Sequence, residues 1–564
     1  MSNAEPDSSL DNQNESGLAQ FHRDCSWGSF WRAKECLENG VDPNCRFGDL
    51  DSPPLHVALW NGHVSLAELL LRYGADPRTS DAEGSTPLHV ICKRWWDTDH
   101  TAERFLEICA AARLWVRIDA PDKKGRTPLQ LAAANGLKRA IESLLRRGAD
   151  PNTTDEQGMT PLHIMSHRVC DADLLRLFFE INAELNQSVR VNARDKLGNT
   201  PLHWALEYGC RNSVGFLLRN GADPNIANEE GSTCLHVVCR RSRDRGMPER
   251  FVEVIDENRM TVRVDARDKK GDTPMHVALA RGHRPLVEFL LRNGADPNLA
   301  TAAGCTPLHL LCRREDDGLT KVFFELCGEM RKTVRFDARH EGRTPLQWAA
   351  LAGLPNVVDL LLDNGADLSE FVYSTVDYDE EIIKASTEYR LIQAAGALAC
   401  VERLEKRGYE LDRGEALSVM NQFARYGLFE KSPTTDLERN WYDDEEFASY
   451  SKKTTIKPSL SLDDLIRSRP EDAKALLTHL EHYEFVKSTE LLAIPDEYYE
   501  AVAAHLTEKM WRRFFRTWAL YPFWEELIHR RLPLLCCDLI IQELTNQDLH
   551  NICVAAITQD TRGQ

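Results

Sequence analysis

Apolar and polar positions alternate in one short phrase that returns along most of the chain. It reads "SPPLHVAL" at residues 52–59, then "STPLHVIC", "RTPLQLAA", "MTPLHIMS", "NTPLHWAL", "STCLHVVC", "DTPMHVAL", "CTPLHLLC" and, at residues 343–350, "RTPLQWAA". A threonine or serine places its hydroxyl at a helix N-cap, proline fits the first turn where its missing N–H costs nothing, and a short apolar helix follows. In alternate copies a second apolar run such as "VSLAELLLRYGADP" comes next, ending on a glycine suited to a left-handed cap: Gly74, Gly148, Gly221, Gly294 and Gly365. The predicted element is a pair of helices closed by a polar turn. Successive copies are spaced alternately by 33 and by 38 to 41 residues, so the unit is itself a pair. The longer members lack the glycine phrase and carry instead "VRIDAPDKKG", "VRVNARDKLG", "VRVDARDKKG" and "VRFDARHEG".

Outside the repeats the pattern changes. Residues 1–22 are polar and predict a disordered tail; "GSFWRAKECLENGVDPN" from Gly28 predicts a half-repeat that begins a stack spanning 23–369. Within 370–430 an acidic insert precedes "LIQAAGALACVERLEKRGYEL", which keeps the apolar spacing without the phrase and reads as a degenerate further repeat. Residues 431–459 lack helical spacing and read as a linker. Helical periodicity resumes over 460–564. There, Leu532, Leu535, Cys536, Leu539, Ile540 and Leu544 form one apolar surface on a helix begun by Pro533. Thr545 and Asp548 cap a second helix carrying Leu549, Ile552, Cys553 and Ala556. That surface either packs on the helices around residues 511–524 or docks another molecule. The predicted class is all-α.

Charge and cysteine usage narrow the partners. A net charge of −19 argues against wholesale attraction to nucleic acid or anionic membrane. The N-terminus has no apolar leader pattern, and no uncharged run approaches the roughly 18 residues needed to span a bilayer. The sixteen cysteines show no C-x-x-C spacing, and Cys92, Cys239 and Cys312 recur at one place in successive apolar helices, as small buried side chains do in a reducing compartment. A cytoplasmic or nuclear setting is expected.

No repeated motif assembles a nucleophile and base, a metal set or a phosphate loop, so neither catalysis nor a cofactor is expected. The phrase histidines give way to Gln130 and Gln347, which keep a hydrogen bond but relay no proton. At the exposed end of the inner helix, basic residues return at every second repeat: Lys93 and Arg94, Arg168, Arg240 and Arg241, Arg313 and Arg314. They either pair with turn carboxylates such as Glu83 and Glu230 or form a stripe for an acidic or phosphorylated protein segment. Trp60 occupies an exposed slot and is a candidate contact, whereas Trp204 and Trp348 read as packing.

The phrases "TPLQLAAANG" and "LLRRGADPN" resemble the ankyrin repeat over residues 30–369. The resemblance implies a solenoid of antiparallel helix pairs with β-hairpin fingers, binding a protein client. The C-terminal pair resembles the F-box, with Leu532, Pro533, Ile540, Leu544, Asp548 and Leu549 at F-box spacing and a core near 531–558; Leu535 departs from it, standing where glutamate is common. Ankyrin repeats joined to a shortened C-terminal F-box resemble the PRANC family. This implies that those six residues contact the small adaptor of a cullin-RING ubiquitin ligase while the repeats hold the client. The alternative is an ankyrin scaffold or inhibitor that sequesters a regulatory protein.

Overall fold

The computed structural model describes residues 8–46, 51–94, 100–167, 172–241, 246–314, 316–373, 386–427, 441–469, 472–473 and 476–560. It divides into two compact units, Met1–Ala295 and Asp296–Gln564.

In the first unit, each copy of the phrase becomes an inner helix of six to eight residues, for example Pro54–Trp60 and Pro201–Glu207. Outer helices such as Val64–Arg72 and Arg211–Arg219 lie against them. Leucines and alanines facing neighbouring copies are removed from water, among them Leu55, Ala58, Leu59 and Leu70. The long members place their extra residues partly in longer outer helices, 11 residues in Thr101–Ala111 and 13 in Ala172–Glu184 against nine in the short members. They still turn through a left-handed residue, with Arg113, Asn186 and Arg259 where the short members have Gly74, Gly148 and Gly221. The same closing bond forms in both, Leu114 N donating to Cys109 O at 2.8 Å and Ala75 N to Leu70 O at 2.9 Å. An arginine in that conformation costs about 1–2 kcal/mol that glycine avoids.

The fingers are tight turns, not the paired strands expected of them. Asp122 Oδ1, for instance, accepts from the N–H groups of Lys124 and Arg126, each at 2.9 Å. Single backbone bonds link one turn to the next: Lys123 to Glu83, Glu156 to Lys124, Lys196 to Gln157, Glu229 to Leu197 and Lys269 to Glu230. Acidic and basic turns therefore alternate along the edge. Among the described residues the one ladder is Thr455–Lys457 with Leu460–Ser461, in the second unit.

The chain from residue 8 is not the disordered tail its composition suggests. Ser8–Trp27 is a helix that packs on Phe30–Glu38 and on the first inner helix, Pro54–Trp60, with Phe21 and Cys25 completely buried. One apolar side and a polar remainder suit a terminal cap, and that sparse apolar content is why the segment reads as unstructured.

The second unit opens with two further helix pairs, Pro307–Leu311 with Asp317–Glu329 and Pro345–Leu351 with Pro355–Asp363. The segment expected as a degenerate repeat is a single 20-residue helix, Thr387–Lys406, which keeps the left-handed glycine at Gly408 and the closing bond from Tyr409 N to Leu404 O at 3.1 Å, and Arg413–Arg425 follows. Its alanine-rich middle is buried on every side, between the last pair and His479–Val486. Gly396 meets Gly353 there so closely that an added Cβ would lie 2.1 Å from the Gly353 carbonyl oxygen. The presumed linker is folded from residue 441: Glu445–Lys453 is helical, with Phe447 buried against Tyr498. Asp496–Pro522, 27 residues long, carries the C-terminal hairpin. Its Lys509 is buried and donates to the carbonyls of Leu465, Ile466 and Ser468, closing the C-terminal end of Leu462–Arg467. Burial draws its pKa down to about 8.

Candidate partner-binding surfaces

The phrase histidines serve the fold. His203 Nδ1 accepts from the Thr200 N–H at 3.2 Å and lies 2.9 Å from the Thr200 hydroxyl, while Nε2 points at Ser232 O, 3.2 Å away in the next turn. Gln130 makes the same pair of bonds, accepting from Thr127 N at 2.8 Å and donating to Met159 O at 2.6 Å. A protonated ring would face an N–H with another N–H. Burial accordingly holds His56, His203 and His309 down to about 4. The unfolded chain takes these protons first, so stability falls as pH drops from about 6.5 to about 4 and gains no further loss from these groups below that. In urea titrations at pH 7 and pH 4.5, His203→Gln is expected to match the parent at the higher pH and to lose on the order of 1–2 kcal/mol less at the lower.

Of the two readings of the basic residues, pairing within the chain is the one seen at Lys93 and Arg240. Arg94 is 4% exposed; its Nη1 donates to Leu59 O at 3.2 Å, closing the C-terminal end of the preceding inner helix. Arg241 does the same to Leu206 O at 3.2 Å. Gly62 makes room for Arg94, since a Cβ there would come within 2.9 Å of its guanidinium. Lys93 pairs with Glu83 at 3.0 Å, and Arg240 donates to Ser232 Oγ at 2.8 Å with Glu230 at 3.8 Å. In the second unit Arg313 lies over the Trp348 ring, 5.2 Å from its centroid, and Arg314 is half-buried. Arg168 lies outside the described residues. An inward arginine with a long stem caps a carbonyl row better than water does, so fold requirements consume the positive charge. Arg94→Ala is therefore expected to lower stability by about 1–3 kcal/mol, and Lys93→Ala by less than about 1, in parallel thermal melts.

Trp60, at the end of its inner helix, is 42% exposed, the outward position expected of it. At the matching slot of a later copy Tyr208 is exposed too, stacked on Trp204 at 5.6 Å and 11° between planes, with His167 5.3 Å from Tyr208. The tryptophan and tyrosine stand four residues apart on the inner helix Pro201–Glu207 and its cap.

The hairpin's first helix, Leu534–Gln542, sits on Asp496–Pro522 through Cys537 and Ile541, both fully buried. Its opposite side faces solvent: Leu532 is 41%, Leu535 72%, Leu539 56% and Ile540 40% exposed, with Pro533 and Cys536 also open. Leu544 is half-buried. Asp548 is exposed and accepts from the Thr545 hydroxyl at 2.7 Å and its N–H at 2.9 Å; these bonds hold its carboxyl below the usual range. Leu549 departs from the expected contact set. It is fully buried in Asn546–Asp560 and belongs to the packing of that helix on Asp496–Pro522. Polar bonds fix the hairpin's attitude. Arg516 pairs with Asp538 at 2.8 Å, Arg512 donates to Gln542 O at 2.6 Å, Glu508 accepts from Asn546 N at 3.0 Å, and Trp524 Nε1 donates to Leu532 O at 2.9 Å. The result is a rigid apolar ridge pointing into water.

Among the described residues no group of histidine, cysteine and carboxylate could hold a metal ion, and no helix is long and apolar enough to cross a membrane.

Family models for ankyrin repeats match residues 55–155, 131–228, 212–301 and 285–371, and a further ankyrin-repeat model matches 22–71. Among curated proteins, the mouse (Mus musculus) B-cell lymphoma 3 protein homolog is 29% identical over 231 residues, 40% of this chain and 48% of that protein. The E3 ubiquitin-protein ligase KEG of Arabidopsis thaliana is 26% identical over 389 residues, 65% of this chain and 23% of its own. Mouse Ankyrin repeat and SOCS box protein 16 is 33% identical over 186 residues, 33% of this chain and 40% of that protein. The matched stretches thus span less than half the length of these relatives. The solved ankyrin repeat domain of Bcl-3 is similar at 25% identity with a TM-score of 0.35, over 40% of this chain and 94% of that one.

Proposed function

We propose that this chain, which belongs to the ankyrin-repeat family, is a non-catalytic adaptor whose repeats hold a protein client while its C-terminal hairpin recruits a cullin-RING ubiquitin ligase. Ankyrin repeats bind protein partners, and the recruiting role falls to the tail, which resembles the F-box of PRANC proteins. The observation that carries it is the solvent-facing ridge of Leu532, Pro533, Leu535, Leu539 and Ile540, held rigid by bonds made elsewhere on the hairpin. Leu535, Leu539 and Ile540 on the helix, with Leu532 just before it, form an exposed apolar surface that costs free energy in water and regains it on docking.

The chain would contribute proximity, raising the effective concentration of client lysines near the ligase, and no bond would be broken by its own residues. One of the similar proteins is named an E3 ubiquitin-protein ligase, which agrees with this assignment. Leu544 and Asp548 would flank the contact, and Leu549 would support it from beneath. The test is a pull-down of purified F-box adaptor by the intact chain. Capture at micromolar concentration or better is expected; failure of the intact chain to bind would leave the repeats as a scaffold that sequesters its client.

A further inference from the structure

The inner-helix phrase carries tryptophan twice, at Trp204 and Trp348, and the two are finished differently. Over Trp348 the chain places its own guanidinium groups, Arg313 at 5.2 Å and Arg343 at 5.7 Å from the ring centroid, with the His340 ring stacked at 5.9 Å. Trp348 is consequently buried. Counted from the phrase, the positions of Arg313 and Arg343 are held beside Trp204 by His167 and Asn199. His167 lies 5.8 Å from the Trp204 ring, and Trp204 stays half-buried, lining a cleft of about 240 Å³.

The cleft's other walls suit a cation. Glu207 reaches it from the end of the inner helix, and Glu229 and Glu230 from the next turn; Glu229 pairs with Arg194 at 3.1 Å and Glu230 lies 3.8 Å from Arg240, so three carboxylates face two guanidinium groups and the balance stays acidic. Arg240 is engaged by Ser232 and Glu230, which leaves Glu207 as the carboxylate nearest the Trp204 turn for a ligand, and Leu197 and Val237 add apolar surface for an aliphatic stem. The ring is fixed before any ligand arrives: Trp204 Nε1 donates to Asp195 Oδ2 at 2.8 Å, and Tyr208 stacks on it. A tryptophan face beside carboxylates attracts a guanidinium through its quadrupole and through the charges together.

We infer that this cleft takes the arginine side chain of a protein partner, supplying from outside the guanidinium that the chain itself supplies at Trp348. The inference rests on the reading that the repeats hold a protein client, and it makes that client basic at this point.

The test uses the full chain labelled with 5-fluorotryptophan, the Trp204 resonance being the one absent from Trp204→Phe. The chain is titrated with acetyl-Gly-Arg-Gly-amide, with its citrulline counterpart and with its lysine counterpart. The Trp204 signal is expected to move saturably with the arginine peptide, at least about fivefold more weakly with citrulline, and less with lysine than with arginine. Glu207→Gln with Glu230→Gln is expected to weaken the arginine response about threefold or more at an unchanged melting temperature. Equal responses to arginine and citrulline, lysine binding as tightly as arginine, or a still Trp204 signal would each overturn the inference. A chain that captures a client while Trp204 ignores all three peptides refutes this assignment and leaves the proposed function standing.

Discussion

Replacing Leu539 and Ile540 together by aspartate is expected to weaken adaptor capture by at least about a hundredfold while moving the chain's stability by less than about 1 kcal/mol. Both side chains are exposed, so a carboxylate at either place reaches water in the free chain. On docking, the same carboxylates would be buried against apolar surface without partners, a penalty of several kcal/mol. Calorimetric titration with purified adaptor reads the first effect and a thermal melt the second. Leu549→Asp is the contrasting case: it puts the charge beneath the hairpin and should lower the melting temperature as well as binding. A double variant that binds like the parent would end the ligase assignment.

Gly396→Val is expected to produce the largest loss of stability, about 3 kcal/mol or more in urea denaturation of the full chain. The obstacle to a side chain there is backbone, the Gly353 carbonyl with its Cα 3.0 Å away, and no rotamer change relieves it. Gly353 itself turns at φ +61° to end the helix Pro345–Leu351, so its carbonyl is held in place. The 20-residue helix must lift, opening the alanine layer that packs it on both sides. Gly328 provides the control. It lies in Asp317–Glu329 with nothing near a built Cβ, and Gly328→Ala should stabilise by up to about 1 kcal/mol through helix propensity alone.

The repeated phrase told most of the fold because each copy states its own capping, helix and turn, and neighbouring copies supply one another's packing. It told less about side-chain destinations. Arg94 and Arg241 begin at the surface slot their spacing implies, yet a stem four atoms long carries the charge inward to a carbonyl that no local pattern reveals. Ser8–Trp27 and Glu445–Lys453 escaped notice for a different reason, since a helix anchored by one or two aromatic residues has too few apolar positions to show a period. In the hairpin the period named the apolar residues correctly. It could not say whether the partner of each lay in the same chain, which is why Leu549 was grouped with Leu532 and Ile540 although it is fully buried.

The alternation of acidic and basic turns along the first unit bears on how such a chain can change in length. Excising one helix pair would set two turns of like sign side by side, Glu83 against Glu156 or Lys124 against Lys196, where a backbone bond now joins opposites. Losing or gaining two pairs at once preserves the sequence of signs and the order of long and short members. The heritable module of this protein is therefore the doublet, and viable length variants should differ by even numbers of repeats.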